Sequence, residues 1–238
     1  SHPQHSHEED GLILCQAGLS FSQFLLAPND DTELTMWFFG ETNKNFAYEY
    51  HKMFLQMLNS VDEPRSHWLL KAPIHVLFLD TLLHYYPSAS LVMTHRQLDE
   101  VLPSFVRLFS VFMSIYLNNN RAEIPADKTA DTKRLIQTFD TLVHRLIKFR
   151  RAHQHNAIFD IHYNDLVERP IDTVRHLYDH FGFQWSNEFE QEMIVWLEKN
   201  PQGKQGRNMY RLEEFGLTRD EIEQNYNEYN NMFLELRK

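Results

Sequence analysis

A chain of 238 residues is long enough to bury a substantial core, and one domain spanning 1–238 is the expected organisation. Apolar residues make up 42% and charged residues 24%, as in ordinary globular proteins, while only seven glycines argue against turn-dense β folds and for long helices. A formal charge of −10 argues against nucleic acid or an anionic membrane surface as a partner, but leaves room for a small basic pocket.

In chain order, Ser6-His7-Glu8-Glu9 has the form of a capping box, and the apolar pattern after it predicts a helix to about Leu26. Asn29-Asp30-Asp31 reads as a turn. A helix over Asn43–Leu58 carries Phe46, Tyr50, Met53, Phe54 and Met57 on one face. Trp68-Leu69-Leu70-Lys71 reads as a short buried strand ended by Ala72-Pro73, and Val76–Tyr86 as a helix stopped by Pro87. Ser90–Thr94 is a second buried strand, and Leu98–Leu117 the helix after it. The uncharged apolar stretch around Leu108–Leu117 is too short to span a bilayer. Asn118–Lys128 reads as a surface loop.

Leu135, Ile136, Phe139, Leu142, Val143, Leu146 and Ile147 then repeat at helical spacing. Ala157–His162 is a third strand, and Ile171–Phe181 a helix that stops at Gly182. Asn187–Leu197 comes next with Ser186 as N-cap, and Thr218-Arg219-Asp220-Glu221 is a capping box opening a last helix over Glu221–Leu236. A single cysteine, Cys15, forms no internal disulfide and fits a reducing compartment; with no signal peptide in the chain, the expected location is cytoplasmic.

Continuous apolar strands separated by helices imply a buried parallel sheet flanked by helices, a three-layer α/β fold. In such sheets ligands sit beyond the carboxyl ends of the strands. Those ends carry Lys71, Thr94-His95-Arg96 and His162-Tyr163. Arg96 at a strand end and Ser104 in the next helix are a candidate phosphate pair, because a guanidinium forks onto phosphate oxygens while a hydroxyl donates to another. Eight residues of helix advance roughly 12 Å, so a turn at Gln97–Asp99 is needed to bring the two together. The alternative is an exposed arginine and a helix-surface serine. His2, His5 and His7 read as a solvated tract, Glu8, Glu9 and Asp10 as an acidic helix turn, and Trp37-Phe38-Phe39 as core or the wall of an apolar pocket.

Leu91-Val92-Met93-Thr94-His95-Arg96 with Pro103-Ser104 resembles the T-H-R-x6-P-S segment of one branch of the sulfotransferases that use 3′-phosphoadenosine 5′-phosphosulfate (PAPS). Leu70-Lys71-Ala72-Pro73-Ile74-His75 is similar to its L-K-S-P-x-H segment, and Tyr50-His51-Lys52 with Leu55-Gln56 to its Y-h-K-x2-L-Q helix. Tyr163-Asn164-Asp165-Leu166 resembles Y-x-D-L, and Asn200-Pro201, Lys204, Gly206 and Tyr210 a late N-P-x2-K-x-G-x3-Y segment.

The resemblance implies a P-loop-like sulfotransferase fold, with PAPS as co-substrate, a small-molecule or glycan acceptor with a hydroxyl or amine, and no metal. It implies that Arg96 and Ser104 hold the 3′-phosphate, that Tyr163 lies on the adenine side, and that Lys204, Gly206 and Arg207 close over the nucleotide. Lys71 would offset charge on the leaving phosphate. His75 would take the acceptor's proton or merely cap a helix; it stands four residues after Lys71, where one branch has its histidine two after. No segment resembles the family's first strand and its G-x-P-R-S-G-T-T loop, which cradles the 5′-phosphosulfate. Two readings therefore stand at this point: a transferase, or a non-catalytic nucleotide-binding or scaffold relative. A nucleotide kinase would need a Walker-type loop, and the sequence carries none.

Overall fold

The computed structural model describes residues 9–27, 31–40, 42–61, 67–116, 130–153, 158–201 and 211–235, the side chains of 114–116 excepted. The predicted capping box at Ser6 and the loop 118–128 lie outside these residues. The chain forms two compact units, one of Ser1–Ala89, Phe112–Asn120 and Asp140–Ala152, the other of Ser90–Val111, Arg121–Phe139 and His153–Lys238.

The first unit is helical. The helix expected up to Leu26 is two, α1 (Gly11–Gln16) and α2 (Phe21–Leu26). Gly18 breaks it with φ of +92°, a left-handed conformation that glycine adopts without steric cost. Ser20 then caps α2, its hydroxyl accepting from the Gln23 N–H at 3.2 Å. Asp31, the last residue of the expected turn, likewise caps α3 (Thr32–Phe39), accepting from the Leu34 N–H at 2.9 Å. Helix α4 (Asn45–Val61) buries Ala47, Tyr48, His51 and Leu55, a stripe at helical spacing. The face predicted from Phe46, Met53 and Met57 is exposed instead. The buried stripe is rotated because it contains a histidine and a tyrosine, which a hydrophobicity count passes over.

Residues 67–72 have no regular structure and form no ladder, correcting the expected first strand. Leu69 is 89% exposed, and an apolar run alone makes no strand without a neighbour to accept its backbone hydrogen bonds. Pro73–Phe78 comes next as a 3-10 turn and Leu79–Tyr85 as α5. Phe24 stacks on Phe38 at 4.9 Å, and Phe38 meets Phe78 edge-on at 6.2 Å. Arg145 donates to the carbonyls of Leu77 and Phe39, satisfying chain ends around this aromatic core.

In the second unit, β1 (Leu91–His95) and β2 (Ile158–His162) pair in parallel, Leu91 opposite Ile158 and His95 opposite His162. Helix α6 (Leu98–Tyr116) comes after β1, and α7 (Ala130–Ala152) contributes Leu135 and Phe139 to this unit's core. From β2 the chain enters α8 (Tyr163–Glu168), α9 (Pro170–Phe181) and α10 (Asn187–Lys199). The Ser186 hydroxyl caps α10 as expected, accepting from the Phe189 N–H at 3.0 Å.

Leu212–Phe215 forms a 3-10 turn, and the Thr218 capping box opens α11 (Arg219–Asn225). The single last helix expected from the sequence is interrupted: α12 (Asn227–Tyr229) passes into a π-turn at Asn230–Leu234. The interruption leaves Tyr226, Tyr229 and Phe233 all buried. No helix among the described residues is long and apolar enough to cross a membrane.

Gly182 ends α9 with φ of 68°, and a Cβ built there meets nothing within 4 Å. Replacing it by alanine therefore tests backbone strain alone. Gly182→Ala is expected to lower unfolding stability by about 1 kcal/mol, read from the urea midpoint at constant m-value.

Candidate functional site

The parallel register sets two side chains beside each other. Arg96 is the residue after the end of β1, Tyr163 the residue after the end of β2, and the paired ends bring their side chains together. The guanidinium carbon of Arg96 lies 4.4 Å from the Tyr163 ring centre, a cation–π stack. Arg96 Nε donates to Glu100 Oε2 at 2.6 Å, one helical turn on. Both terminal guanidinium nitrogens remain without a partner among the described residues, on a side chain 40% exposed.

Arg96 and Tyr163 line a cavity of about 180 Å³ with His95, Gln97, Glu100, His162, Asn164 and Leu234. Its lining is polar and includes the Arg96 cation, so an anion the size of a phosphate suits it. Ser104 lies one turn beyond Glu100 on the same face of α6 and is not among the lining residues. The tightening turn expected at Gln97–Asp99 is replaced by helix from Leu98, with the Gln97 carbonyl accepting from Glu100 and Val101. Lys204, Gly206 and Arg207 lie outside the described residues.

The first unit holds a different cluster. Asp10 Oδ2 receives His51 Nε2 at 3.0 Å and His75 Nε2 at 2.7 Å. His51 Nδ1 lies 2.6 Å from the Tyr86 hydroxyl, and His75 Nδ1 2.8 Å from that of Tyr48. A carboxylate only accepts, so each Nε2 carries hydrogen towards Asp10, and each neutral imidazole then accepts a phenolic proton at Nδ1.

Energetics support that assignment. Burial and the Asp10 charge push the Tyr86 hydroxyl up to about 12, and burial pushes Tyr48 well above the usual phenol range, so both stay protonated. Burial alone would raise the Asp10 carboxyl. The hydrogen bonds that the two histidines donate, joined by the positive charge of either ring when it is protonated, outweigh it and hold the group well below the usual carboxylate range.

Lys71 and His75 meet neighbouring carboxylates. Lys71 pairs with Glu9 at an exposed position, while Asp10 takes His75. One acidic dipeptide at the start of α1 thus engages both residues expected to take part in chemistry. Asp10, His51 and His75 present ligand atoms within 4.8 Å of one another, and Asp10 Oδ1 is buried without a partner. Such a donor set could hold a divalent ion; in the structure its separations are those of hydrogen bonds.

Sequence reasoning passed over Asp10 as part of an acidic helix turn, and did not single out Tyr48 or Tyr86 as functional. The signal available was His51, which shares the buried stripe of α4 with Tyr48.

Ionised Asp10 contributes fully above the ordinary unfolded-state value near 3.9. As pH falls below that, the unfolded chain binds the proton first, and the contribution is lost towards the lower folded-state value. The wild-type urea midpoint is therefore expected to fall more steeply between about pH 4 and pH 2 than that of Asp10→Asn. Parallel slopes would remove Asp10 from acid stability.

Comparisons with known proteins bear on the family and the fold. The family model described as "Sulfotransferase family" matches residues 27–187. Omega-hydroxy-beta-dihydromenaquinone-9 sulfotransferases Stf3 of Mycobacterium bovis and Mycobacterium tuberculosis are each 24% identical over 181 residues, 75% of this chain and 45% of theirs. The crystal structure of sulfotransferase STF9 from Mycobacterium avium superposes with a TM-score of 0.82 at 26% identity, covering 95% of this chain and 56% of that one. The chain thus spans about half the length of the relatives it matches. With a family match over more than half its residues and a shared fold, the chain belongs to the sulfotransferase family.

Proposed function

We propose that the chain carries the 3′-phosphate site and the acceptor-side residues of a sulfotransferase that moves a sulfuryl group from PAPS to a hydroxyl or amine acceptor. The observation that supports this reading most is Arg96: an arginine delivered by a strand end, stacked on Tyr163 and lining a polar cavity. Nε is held by Glu100, which fixes the plane of the fork before a ligand arrives.

In the proposed reaction the acceptor oxygen or nitrogen attacks sulfur. The sulfur–oxygen bond to the 5′-phosphate breaks, and adenosine 3′,5′-bisphosphate leaves with the bonding pair. Lys71 offsets charge developing on the departing oxygen once it exchanges its exposed Glu9 partner for the donor. His75 receives the acceptor's proton. Both its ring nitrogens are engaged, so this role requires Tyr48 to release Nδ1.

Ser104 joins the phosphate site if α6 loosens at its first turn. Lys204, Gly206 and Arg207 are proposed to close over the nucleotide. The sulfuryl group carries less charge than a phosphoryl group, so lysine and arginine can serve in place of a metal.

The printed name of Stf3 specifies a hydroxylated menaquinone acceptor, an alcohol on an apolar body. Trp68, Leu69 and Leu70, exposed immediately before Lys71, suit an acceptor of that character better than a glycan.

Titration with adenosine 3′,5′-bisphosphate tests the assignment. Loss of charge-assisted hydrogen bonds worth about 2 kcal/mol predicts an affinity about 30-fold weaker in Arg96→Ala. Equal affinities for the two proteins would remove the donor site from this cavity. Glu100→Gln, which keeps the contact to Nε and removes a carboxylate beside the phosphate, is expected to bind several-fold tighter at low salt, with the gain shrinking at high salt.

A further inference from the structure

The residue before Arg96 is buried and polar. The His95 side chain is fully buried, its Nε2 2.9 Å from Asp160 Oδ1 on the neighbouring strand and its Nδ1 3.1 Å from the Tyr229 hydroxyl. Its ring stacks on Phe233 at 4.3 Å, nearly parallel at 11°. Because Asp160 only accepts, His95 carries its hydrogen on Nε2 and accepts from the phenol at Nδ1. The order therefore runs from the Tyr229 O–H to His95 and from the His95 N–H to Asp160.

Every bond in this chain acts on the point where the strand ends and the arginine leaves it. The residues that supply it come from α12 and from the π-turn Asn230–Leu234, whose Leu234 lines the same cavity. π-turns are uncommon and often mark functional positions. Here the wider turn comes directly after Tyr229 and carries Phe233, which covers the histidine, and Leu234, which reaches the cavity wall.

We infer that Tyr229 is a positioning residue for Arg96: its hydroxyl fixes the strand end through His95, the residue before the arginine, making the C-terminal π-turn an integral part of the anion site. This rests on the donor-site reading and extends it to residues more than a hundred positions downstream.

The experiment is calorimetric titration of adenosine 3′,5′-bisphosphate into wild type, Arg96→Ala, Tyr229→Phe and Thr218→Ala, well below the unfolding midpoint of each. Tyr229→Phe removes one oxygen and keeps the ring, and is expected to weaken binding about ten-fold. Thr218→Ala removes the capping box of α11 in the same segment and is expected to lower the thermal midpoint while leaving affinity within about two-fold. Asp160→Asn, which no longer enforces the Nε2–H form of His95, is a second variant should Tyr229→Phe fold poorly, and is expected to weaken binding at least three-fold.

Wild-type affinity in both Tyr229→Phe and Asp160→Asn would overturn the positioning role. So would an equal loss in Thr218→Ala, which would show a stability effect only. Wild-type affinity in Arg96→Ala would instead bring down the donor-site reading itself, whatever the tyrosine variant does.

Discussion

The parallel pairing of β1 with β2 is the constraint on which the Arg96 cavity rests. Five residue pairs in register make the two strands end together, so the next residue on each strand must share one patch of surface. Those residues are Arg96 after β1 and Tyr163 after β2. A slip of one residue would turn every strand side chain to the opposite face and separate the arginine from the ring that supports it. Cation–π stacking is worth roughly 0.5–1 kcal/mol at exposed sites, too little to choose the register. The register comes from the buried residues, Ile158 and Ile161 on β2 and His95 on β1, and the site inherits it.

The Asp10–His51–His75 cluster obeys a different constraint. Burying a carboxylate is unfavourable unless hydrogen bonds replace water, and two donors on a single oxygen are what this protein supplies. The replacement ties three pieces of chain together: Asp10 before α1, His51 in α4 and His75 in the 3-10 turn. Each histidine is then anchored on its far side by a tyrosine whose burial keeps it a donor. An arrangement with so few free lone pairs has a restricted set of proton positions, so imidazole orientation in this cluster is decided before any acceptor arrives.

The strand, the arginine beyond its end and the helix that comes next were legible in the sequence because their signals are local. An apolar strand, an arginine at its tip and a helix after it lie within one short segment, and the spacing of Arg96 to Ser104 can be read off directly. Placing both on one phosphate took more than spacing: helix from Leu98 onward keeps Ser104 along the axis from Arg96, and Glu100 occupies the turn between them. The strand expected at Trp68–Lys71 did not form, since an apolar run specifies burial but not a pairing partner. The Asp10 cluster and the Tyr229 contacts were illegible for a third reason. Each joins residues 24 to 134 positions apart, measured as the separations of His51 from His75 and of His95 from Tyr229, and no local pattern encodes such a meeting.

The two units, otherwise unlike, solve one problem the same way. A residue proposed to touch the donor or acceptor is itself exposed or reachable, while a residue beside it or beside its partner in sequence is buried and held by two hydrogen bonds. Arg96 comes after His95, which is locked between Asp160 and Tyr229. Lys71 reaches Glu9, whose neighbour Asp10 is locked between His51 and His75. Adjacent residues share a peptide plane, so immobilising one side chain restrains the backbone from which the next departs. A long cationic side chain keeps the freedom to meet a ligand, yet its root is fixed. That division of labour places the rigidity in polar groups the solvent cannot compete for, and leaves the charge that must bind an anion where an anion can arrive.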